Sequence, residues 1–573
     1  MTPTPISTTP RPQEAAPSTD LDSAVHAHLA RLTMGLSPAS MAAAYLDWFA
    51  HLAVSPGKQQ ALAMKALRGS GEDFGDEPPP GDRRFSAPEW QQWPFDQIAN
   101  AFRHSERWWL EATTGVHGVS AHHEQQVAFM ARQILDMGSP SNFPLTNPEV
   151  LVTTVNSGGA NLLQGARNQW REMLQLLAGQ PSAGSVPFQP GKDVAVTPGK
   201  VVFRNHLIEL IQYEPQTPTV FAEPLLIVPP WIMKFYILDL SPADSLVRYL
   251  VGHGHTVFIV SWLNPGSDER NLSMDDYLKS GVLAALSAVS SIVPKRRVQT
   301  LGYCLGGTLL SIAAAFLART GDTRLSSLTL LTSEVDFSEP GELSLFIDES
   351  QLHVLDGAMS DKGYLEGAQM GGAFALLNSR DLLWSRMVSA YLMGRSPSAS
   401  DLSSWNADAT RMPYRQHSEY LRKLYRDNDL AQGRYKVDGK PVALPDIRVP
   451  IFSLGTLRDT VAPWRSVYKI HLLTRTEVTF CLSSGGHNVG VVNPPGPGVV
   501  RSYRLATHGV DEHYVDPDTW LATATAHKGS WWPAWETWLK KHAGKRVAPP
   551  AMGNPKAGYP PLDDAPGRYV LTR

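Results

Sequence analysis

The sequence predicts an α/β fold in which helices cover both faces of a mostly parallel sheet, preceded by a mostly helical N-terminal domain. Two observations support this prediction. Before residue 180 apolar residues recur at helical spacing, whereas after residue 200 short apolar runs alternate with helical segments. A chain of 573 residues is also too long for one compact core, so more than one domain is expected.

Domain boundaries are predicted where the residue pattern changes. Residues 1–20 are predicted to be a disordered tail, because they hold too few apolar groups to offset the entropy of ordering them. The helical domain is assigned to residues 21–180 and a linker to residues 181–200. The α/β domain takes residues 201–573 and contains a stretch at about 336–411 that interrupts the alternation. We expect this stretch to be a lid over the carboxyl edge of the sheet.

Two signals mark helix starts in the N-terminal domain. Ser86-Ala87-Pro88-Glu89 is typical of a capping box with proline just inside the helix. Asn147-Pro148-Glu149 opens another helix, since Asn caps helices well and Pro suits the first turn.

The α/β domain is predicted from its short apolar runs. Two of them, at 201–203 and 206–213, are expected to form a hairpin. The remaining predicted strands are 224–228, 256–262, 298–303, 327–331, 450–454 and 478–482. Helical patterns such as 243–251 and 277–293 lie between them. Strands separated by helices indicate a parallel sheet buried on both faces.

Composition excludes several classes of function. A net charge of -3 provides no bulk attraction for nucleic acid, so no nucleic-acid partner is expected. Two cysteines cannot form a disulfide framework, and we expect a reducing, cytoplasmic location. Because no signal peptide pattern and no apolar stretch of spanning length is present, we expect a protein that is not integral to a membrane. Histidines and acids lack metal-site spacing, so no metal is expected.

A cysteine between glycines is the centre of the predicted site. The strand at 298–303 runs into Gly302-Tyr303-Cys304-Leu305-Gly306-Gly307, and an Ala- and Leu-rich helix follows. This strand-turn-helix context is that of a nucleophile elbow, with sulfur in place of the serine oxygen. The alternative interpretation is a buried free cysteine that only packs, because cysteine is among the most buried residue types.

An acid and a histidine follow the cysteine in the order that α/β-hydrolases use. Asp459 comes after the strand at 450–454, and His487 comes after the strand at 478–482. His487 is expected to take the thiol proton of Cys304 while Asp459 orients the imidazole. The backbone N–H of Leu305 is one expected oxyanion donor, and a second is expected around Trp231 and Ile232.

Further motifs accompany the cysteine turn between about residue 85 and the C-terminus. They lie at 229–240, 260–265, 336–341, 405–408, 492–495 and 529–533. Together with the turn, these motifs resemble polyhydroxyalkanoate synthases of the single-subunit class I type, in the α/β-hydrolase superfamily. Two departures are Met233, where the family has a polar Asn, and Asn488-Val489 in place of an apolar-Ala pair.

The resemblance implies a polymerase that joins (R)-3-hydroxyacyl-coenzyme A thioesters into polyester and releases coenzyme A. By this resemblance Cys304, Asp459 and His487 take the catalytic roles, and Cys304 carries the acyl chain. No cofactor is expected, because the coenzyme A thioester is itself the substrate. The expected partners are the growing polyester granule, granule-associated proteins and a second copy of the chain. The expected location is the surface of granules in the cytoplasm.

Two other functions fit the same residues. A thioesterase or esterase of the same fold would use Cys304 but pass the acyl group to water. In a noncatalytic granule-binding protein, the helical N-terminal domain would bind the polymer. The three residues predicted to be catalytic would then have no role.

Overall fold

The computed structural model describes residues 36–68, 82–178, 188–377, 379–396, 400–496 and 501–573, together with Val25 and Thr33. The predicted tail at 1–20 and the first part of the predicted linker lie outside these residues. The domain boundaries predicted from the sequence therefore stay predictions.

The N-terminal region is helical, as the spacing of its apolar residues predicts. Its helices are α1 Pro38–Ala53, α2 Pro56–Arg68, α3 Phe95–Thr113, α4 Ala121–Met137, α5 Pro148–Asn156 and α6 Ala160–Leu177. The Asn147 side chain caps α5 by accepting from the N–H groups of Glu149 and Val150, which confirms the predicted start. The predicted capping box at 86–89 is wrong. Pro88–Gln91 forms a 3-10 turn without a side-chain cap, and the Ser86 hydroxyl donates instead to the Arg83 carbonyl at 2.9 Å.

A sheet of ten strands forms the centre of the second region. Its strands are β1 Gly199–Arg204, β2 Ile208–Tyr213, β3 Leu225–Val228, β4 Val257–Trp262, β5 Val298–Tyr303, β6 Leu325–Leu331, β7 Ile451–Thr456, β8 Val478–Ser483, β9 Ser502–His508 and β10 Thr525–Lys528. Their order across the sheet is β1-β2-β4-β3-β5-β6-β7-β8-β9-β10. The strands from β4 to β8 pair in parallel, and the edge pairs β1-β2, β2-β4, β8-β9 and β9-β10 are antiparallel.

The central strands of the sheet are buried on both faces, because alternate residues of one strand enter different cores. In β3, Leu226 and Val228 belong to one apolar cluster, whereas Leu225 and Ile227 belong to the other. The helices that cover the sheet include α7 Leu246–Gly252, α8 Ala284–Ile292 and α9 Leu305–Thr320. This continuous burial explains why the central strands appear as uninterrupted apolar runs in the sequence.

A long segment leaves the sheet between β6 and β7. This cap segment, residues 332–450, contains α10 Glu349–Ser360, α11 Gly367–Leu377, α12 Asp401–Ala407 and α13 Tyr414–Tyr420. Its described residues also hold π-helical stretches at Arg380–Trp384, Val388–Leu392 and Leu421–Arg426. The lid predicted at 336–411 lies inside the cap segment, and the chain returns to the sheet only at β7.

The N-terminal helices hold the cap segment through polar contacts. Arg380 donates to the buried carboxylate of Asp136 at 2.7 Å. The Gln126 amide donates to the Leu345 carbonyl at 2.8 Å, and the Tyr391 hydroxyl donates to Glu172 at 2.6 Å. The first region therefore contacts the cap segment at several separate points.

The remaining helices follow the strands at the second half of the sheet. They are α14 Trp464–Tyr468, α15 Ile470–Leu473, α16 His487–Val491, α17 Pro517–Thr523 and α18 Trp532–Lys541. Within the described ranges, none of the helices has both the length and the apolar character needed to cross a bilayer.

Candidate active site

Cys304 lies on a strained turn between β5 and α9. β5 ends at Tyr303 and α9 begins at Leu305, so Cys304 is the one residue that joins them. Its backbone has φ +52° and ψ -124°, a conformation that a residue with a side chain rarely adopts. The Cys304 N–H donates to the Leu331 carbonyl at 2.9 Å, which ties the turn to β6. This geometry is that of a nucleophile elbow, and it presents a half-buried thiol at the sheet edge.

Two glycines after Cys304 allow neighbouring loops to approach the turn. A Cβ on Gly306 would lie 2.1 Å from the Val228 carbonyl oxygen, at the end of β3. A Cβ on Gly307 would lie 1.9 Å from the Ser333 hydroxyl, just beyond β6. β3 and β6 are the two strands beside β5, and the loops that follow them therefore enclose the start of α9.

Asp459 and His487 meet through a direct hydrogen bond. His487 Nδ1 lies 2.8 Å from Asp459 Oδ2, which also accepts from the Thr456 hydroxyl at 3.1 Å. The other oxygen of Asp459 accepts from the N–H groups of Val461 and Ala462, both at 2.9 Å. These bonds fix the orientation of the carboxylate, so the proton of His487 Nδ1 has a defined acceptor.

The imidazole of His487 lies between two acidic groups. Burial alone lowers the pKa of His487, but the charges of Asp459 and Cys304 and hydrogen bonds to both side chains raise it well above 6.5. The ring is therefore placed to exchange a proton with the sulfur while Asp459 holds its orientation. The structure thus brings together the three residues predicted to be catalytic.

The loop after β3 lies beside the predicted oxyanion site. Leu305 is the first residue of α9, so its N–H has no acceptor within the helix. Ile232 lies in the same apolar cluster as Leu305. The carbonyls of Trp231 and Ile232 accept from the hydroxyl and the N–H of Thr410 in the cap segment, at 2.6 Å and 3.2 Å. The cap segment therefore holds the loop in place, and the donor roles of Leu305 and Ile232 stay predictions.

Comparison with known proteins gives the family. The chain is 43% identical over 498 residues to the poly(3-hydroxyalkanoate) polymerase of Methylorubrum extorquens, covering 86% of this chain and 81% of that protein. The PhaC subunit of the Cupriavidus necator polymerase is 38% identical over 522 residues, which cover 90% of this chain and 86% of that protein. The chain belongs to the poly(3-hydroxyalkanoate) polymerase family.

Family models agree with this assignment. Residues 16–58 match the N-terminal model of poly-beta-hydroxybutyrate polymerase, and residues 81–250 match the PhaC N-terminus. Residues 224–494 match the alpha/beta hydrolase fold. The resemblance and the fold class predicted from the sequence are confirmed, as is the prediction that the chain is a polymerising enzyme.

In this member of the polymerase family, hydrogen bonds from three side chains hold the short helix that carries His487. The Tyr303 hydroxyl donates to Asn488 Oδ1 at 2.6 Å, which joins the residue before Cys304 to the residue after His487. The indole N–H groups of Trp531 and Trp532 donate to the carbonyls of Gly490 and Val491, at 2.9 Å and 3.0 Å. α16 has only five residues, and a helix this short is not stable by itself. The hydrogen bonds from these side chains therefore stabilise it.

Sequence reasoning missed another acid at this site, Glu334. Burial raises the pKa of Glu334 well above 4.5, and the charges of Asp459 and Cys304 raise it further. One signal was available in the sequence, because Glu334 is a charged residue three positions after the end of the apolar run of β6. Among the residues that the structure places, no three His, Cys, Asp or Glu side chains come together as a metal site would require.

Proposed function

We propose that this chain polymerises (R)-3-hydroxyacyl-coenzyme A thioesters into polyhydroxyalkanoate, with Cys304 as the acyl carrier and coenzyme A as the leaving group. Membership of the poly(3-hydroxyalkanoate) polymerase family supports the reaction class. The observation that carries the mechanism is the hydrogen bond from His487 to Asp459, 2.8 Å long, beside a cysteine on a strained turn.

The first step transfers the acyl group to the enzyme. His487 takes the proton of the Cys304 thiol, and the sulfur attacks the thioester carbonyl. The tetrahedral intermediate collapses with cleavage of the carbon–sulfur bond to coenzyme A, whose thiolate receives the proton from His487. One thioester is exchanged for another, so the acyl group stays activated for the next step.

The second step lengthens the chain. His487 removes the proton from the 3-hydroxyl of another hydroxyacyl group, and that oxygen attacks the Cys304 thioester. An ester bond forms, the carbon–sulfur bond to Cys304 breaks, and the proton returns to the sulfur. The N–H of Leu305 and a backbone donor near Ile232 stabilise the oxyanion in both steps.

Incubating the purified protein with 3-hydroxybutyryl-coenzyme A tests the proposal. Insoluble polymer together with free coenzyme A is the expected result. Soluble hydroxy acid with free coenzyme A would show a thioesterase instead. An unchanged substrate would support a noncatalytic granule-binding protein.

The two cysteines provide matched variants for this assay. Cys304→Ala should abolish both coenzyme A release and polymer formation, because it removes the acyl carrier. Cys481→Ala should retain activity, since Cys481 is fully buried in β8 and burial raises the pKa of its thiol well above 9.0. Activity of Cys304→Ala within about tenfold of wild type would exclude the covalent mechanism.

Location and assembly follow the same proposal. The proposed product is an insoluble polyester, so the surface of a cytoplasmic granule is the proposed location. A second copy of the chain and granule-associated proteins are the proposed partners. Fractionation of producing cells and sedimentation of the purified chain test these two points separately.

A further inference from the structure

Glu334 is a buried acid at the carboxyl edge of the sheet, where Cys304 also lies. It follows β6 by three residues and is only 5% exposed. Its backbone carbonyl accepts from the Thr308 hydroxyl at 2.7 Å. The N–H of Thr308 in turn lies 3.3 Å from the Cys304 carbonyl, one helical turn away. The loop that carries Glu334 therefore packs against the same turn of α9 as the nucleophile.

The three residues predicted to be catalytic also influence the pKa of Glu334. Burial is the largest cause that raises the pKa of Glu334, followed by the charges of Asp459 and Cys304. The Ser466 hydroxyl and the charge of His487 lower the pKa, but the net direction is strongly upward. Burial and the groups of the predicted site therefore favour the neutral form of this carboxyl.

One oxygen of Glu334 is left without a partner. Oε1 is buried, and no donor or acceptor in the described part of the chain forms a hydrogen bond with it. Two tyrosines near this acid, Tyr420 and Tyr425, pack edge to face with their ring centroids 5.3 Å apart. A buried polar atom without a partner is costly, and such atoms in an active site are positions where a polar group of the substrate can bind.

We propose that Glu334 is a specificity-determining residue whose unpaired oxygen forms a hydrogen bond with the 3-hydroxyl of the acyl group bound at Cys304. This inference rests on the proposed function, because it assumes a hydroxyacyl group on Cys304. A neutral carboxyl suits the task, since it can donate a hydrogen bond to a hydroxyl or accept one from it. An acyl group without the hydroxyl would leave the buried oxygen unpaired, so the site would select against it.

The first transfer to Cys304 tests this inference, because it needs no polymer growth. We would measure acylation of Cys304 in a single turnover by mass spectrometry, with 3-hydroxybutyryl-coenzyme A and with butyryl-coenzyme A. Wild type should acylate with the hydroxy substrate at least about tenfold faster, which corresponds to one good hydrogen bond. Glu334→Met should bring this ratio close to one. Glu334→Gln should keep most of the ratio, because an amide also donates and accepts.

A remote acid provides the control. Glu223 also has a buried oxygen without a partner in the described part of the chain, but it precedes β3 and lies at the opposite, amino edge of the sheet. Glu223→Met should leave the ratio of the two acylation rates unchanged.

The possible outcomes separate this inference from the proposed function. Equal acylation of wild type by both thioesters, or a ratio that Glu334→Met does not change, would overturn the role of Glu334 while leaving the covalent mechanism intact. Failure of wild type to form any acyl-Cys304 would overturn the proposed function instead. If Glu334→Met does not fold, the ratio in wild type and in Glu334→Gln still decides, since a ratio near one in wild type excludes the interaction.

Discussion

Replacing Gly307 by alanine should destabilise the turn that carries Cys304. A Cβ at this position lies 1.9 Å from the Ser333 hydroxyl oxygen and 2.6 Å from the Ser333 Cβ. Nonbonded heavy atoms normally approach to about 3.5–4.0 Å, so α9 or the loop after β6 has to move. Overpacking a buried site typically costs about 1–3 kcal/mol, and we expect about 3 kcal/mol here because both residues lie in a fully packed region.

Removing the Ser333 side chain should restore much of this loss. Ser333→Gly eliminates both of the closest atoms, and the next nearest is the Gly302 carbonyl oxygen, 3.1 Å from the new Cβ. Its own cost includes the hydrogen bond from the Ser333 hydroxyl to the Leu331 carbonyl, about 1 kcal/mol. The double variant should therefore be about 2 kcal/mol more stable than Gly307→Ala alone, which is a strong coupling between neighbours.

The neighbouring glycine is the matched control. A Cβ on Gly306 meets backbone atoms, 2.1 Å from the Val228 carbonyl oxygen and 2.7 Å from the Pro229 carbonyl carbon, so no side-chain deletion relieves it. Ser333→Gly should leave the cost of Gly306→Ala unchanged. Urea unfolding followed by tryptophan fluorescence measures stability, and alkylation of the thiol in a Cys481→Ala background reports the geometry of the turn. A Gly307→Ala variant as stable as wild type, or one that Ser333→Gly does not rescue, would refute the packing argument.

Three further predictions concern the site and its cover. His487→Gln should lose both acylation and elongation, whereas Asp459→Asn should retain some acylation of Cys304, because a thiol ionises more readily than a serine hydroxyl; rapid trapping of the acyl-enzyme measures this, and equal losses would contradict it. Glu334→Gln should raise the free energy of unfolding at pH 8 more than at pH 5. Burial raises the pKa of this carboxyl, so its contribution to stability is complete below the unfolded pKa and is lost as the pH rises towards the folded pKa. Urea unfolding at both pH values checks the sign, and a difference independent of pH would argue against a buried neutral acid. The segment at 336–411 should be the preferred site of limited proteolysis without substrate and should be protected by a nonhydrolysable substrate analogue, because a lid must open for polymer to leave; equal cleavage in both states would indicate a fixed cover.

Local pattern was sufficient to predict the central sheet. Its inner strands are buried on both faces, so each appears as an apolar run, and the predicted and observed bounds differ by only a few residues. The turn at Cys304 was equally predictable, since close backbone contacts require the glycines at 302 and 306, and the Ser333 side chain requires the glycine at 307. Asp459 and His487 could be placed because the carboxyl ends of parallel strands meet at one edge.

Other features depended on contacts that no local pattern encodes. β9 and β10 were not predicted, because these antiparallel strands at one end of the sheet are half-buried or exposed and need no apolar run. Their pairing with β8 is a property of the assembled sheet. The capping box expected at 86–89 did not form, since the hydroxyl of Ser86 donates to the Arg83 carbonyl and no side chain caps the 3-10 turn that follows.

The sequence by itself determined which residues occupy the carboxyl edge of the sheet, because strand periodicity and chain order are local properties. Only the tertiary structure decided how those residues are supported. Tyr303 reaches Asn488 across 185 positions of the chain, and the indoles of Trp531 and Trp532 reach the carbonyls of α16 across 41. The raised pKa of Glu334 likewise comes from burial and from residues that distant segments bring beside it, such as Asp459. Burial and hydrogen bonding between remote residues are set by the packing of whole elements, and a sequence pattern carries no measure of either.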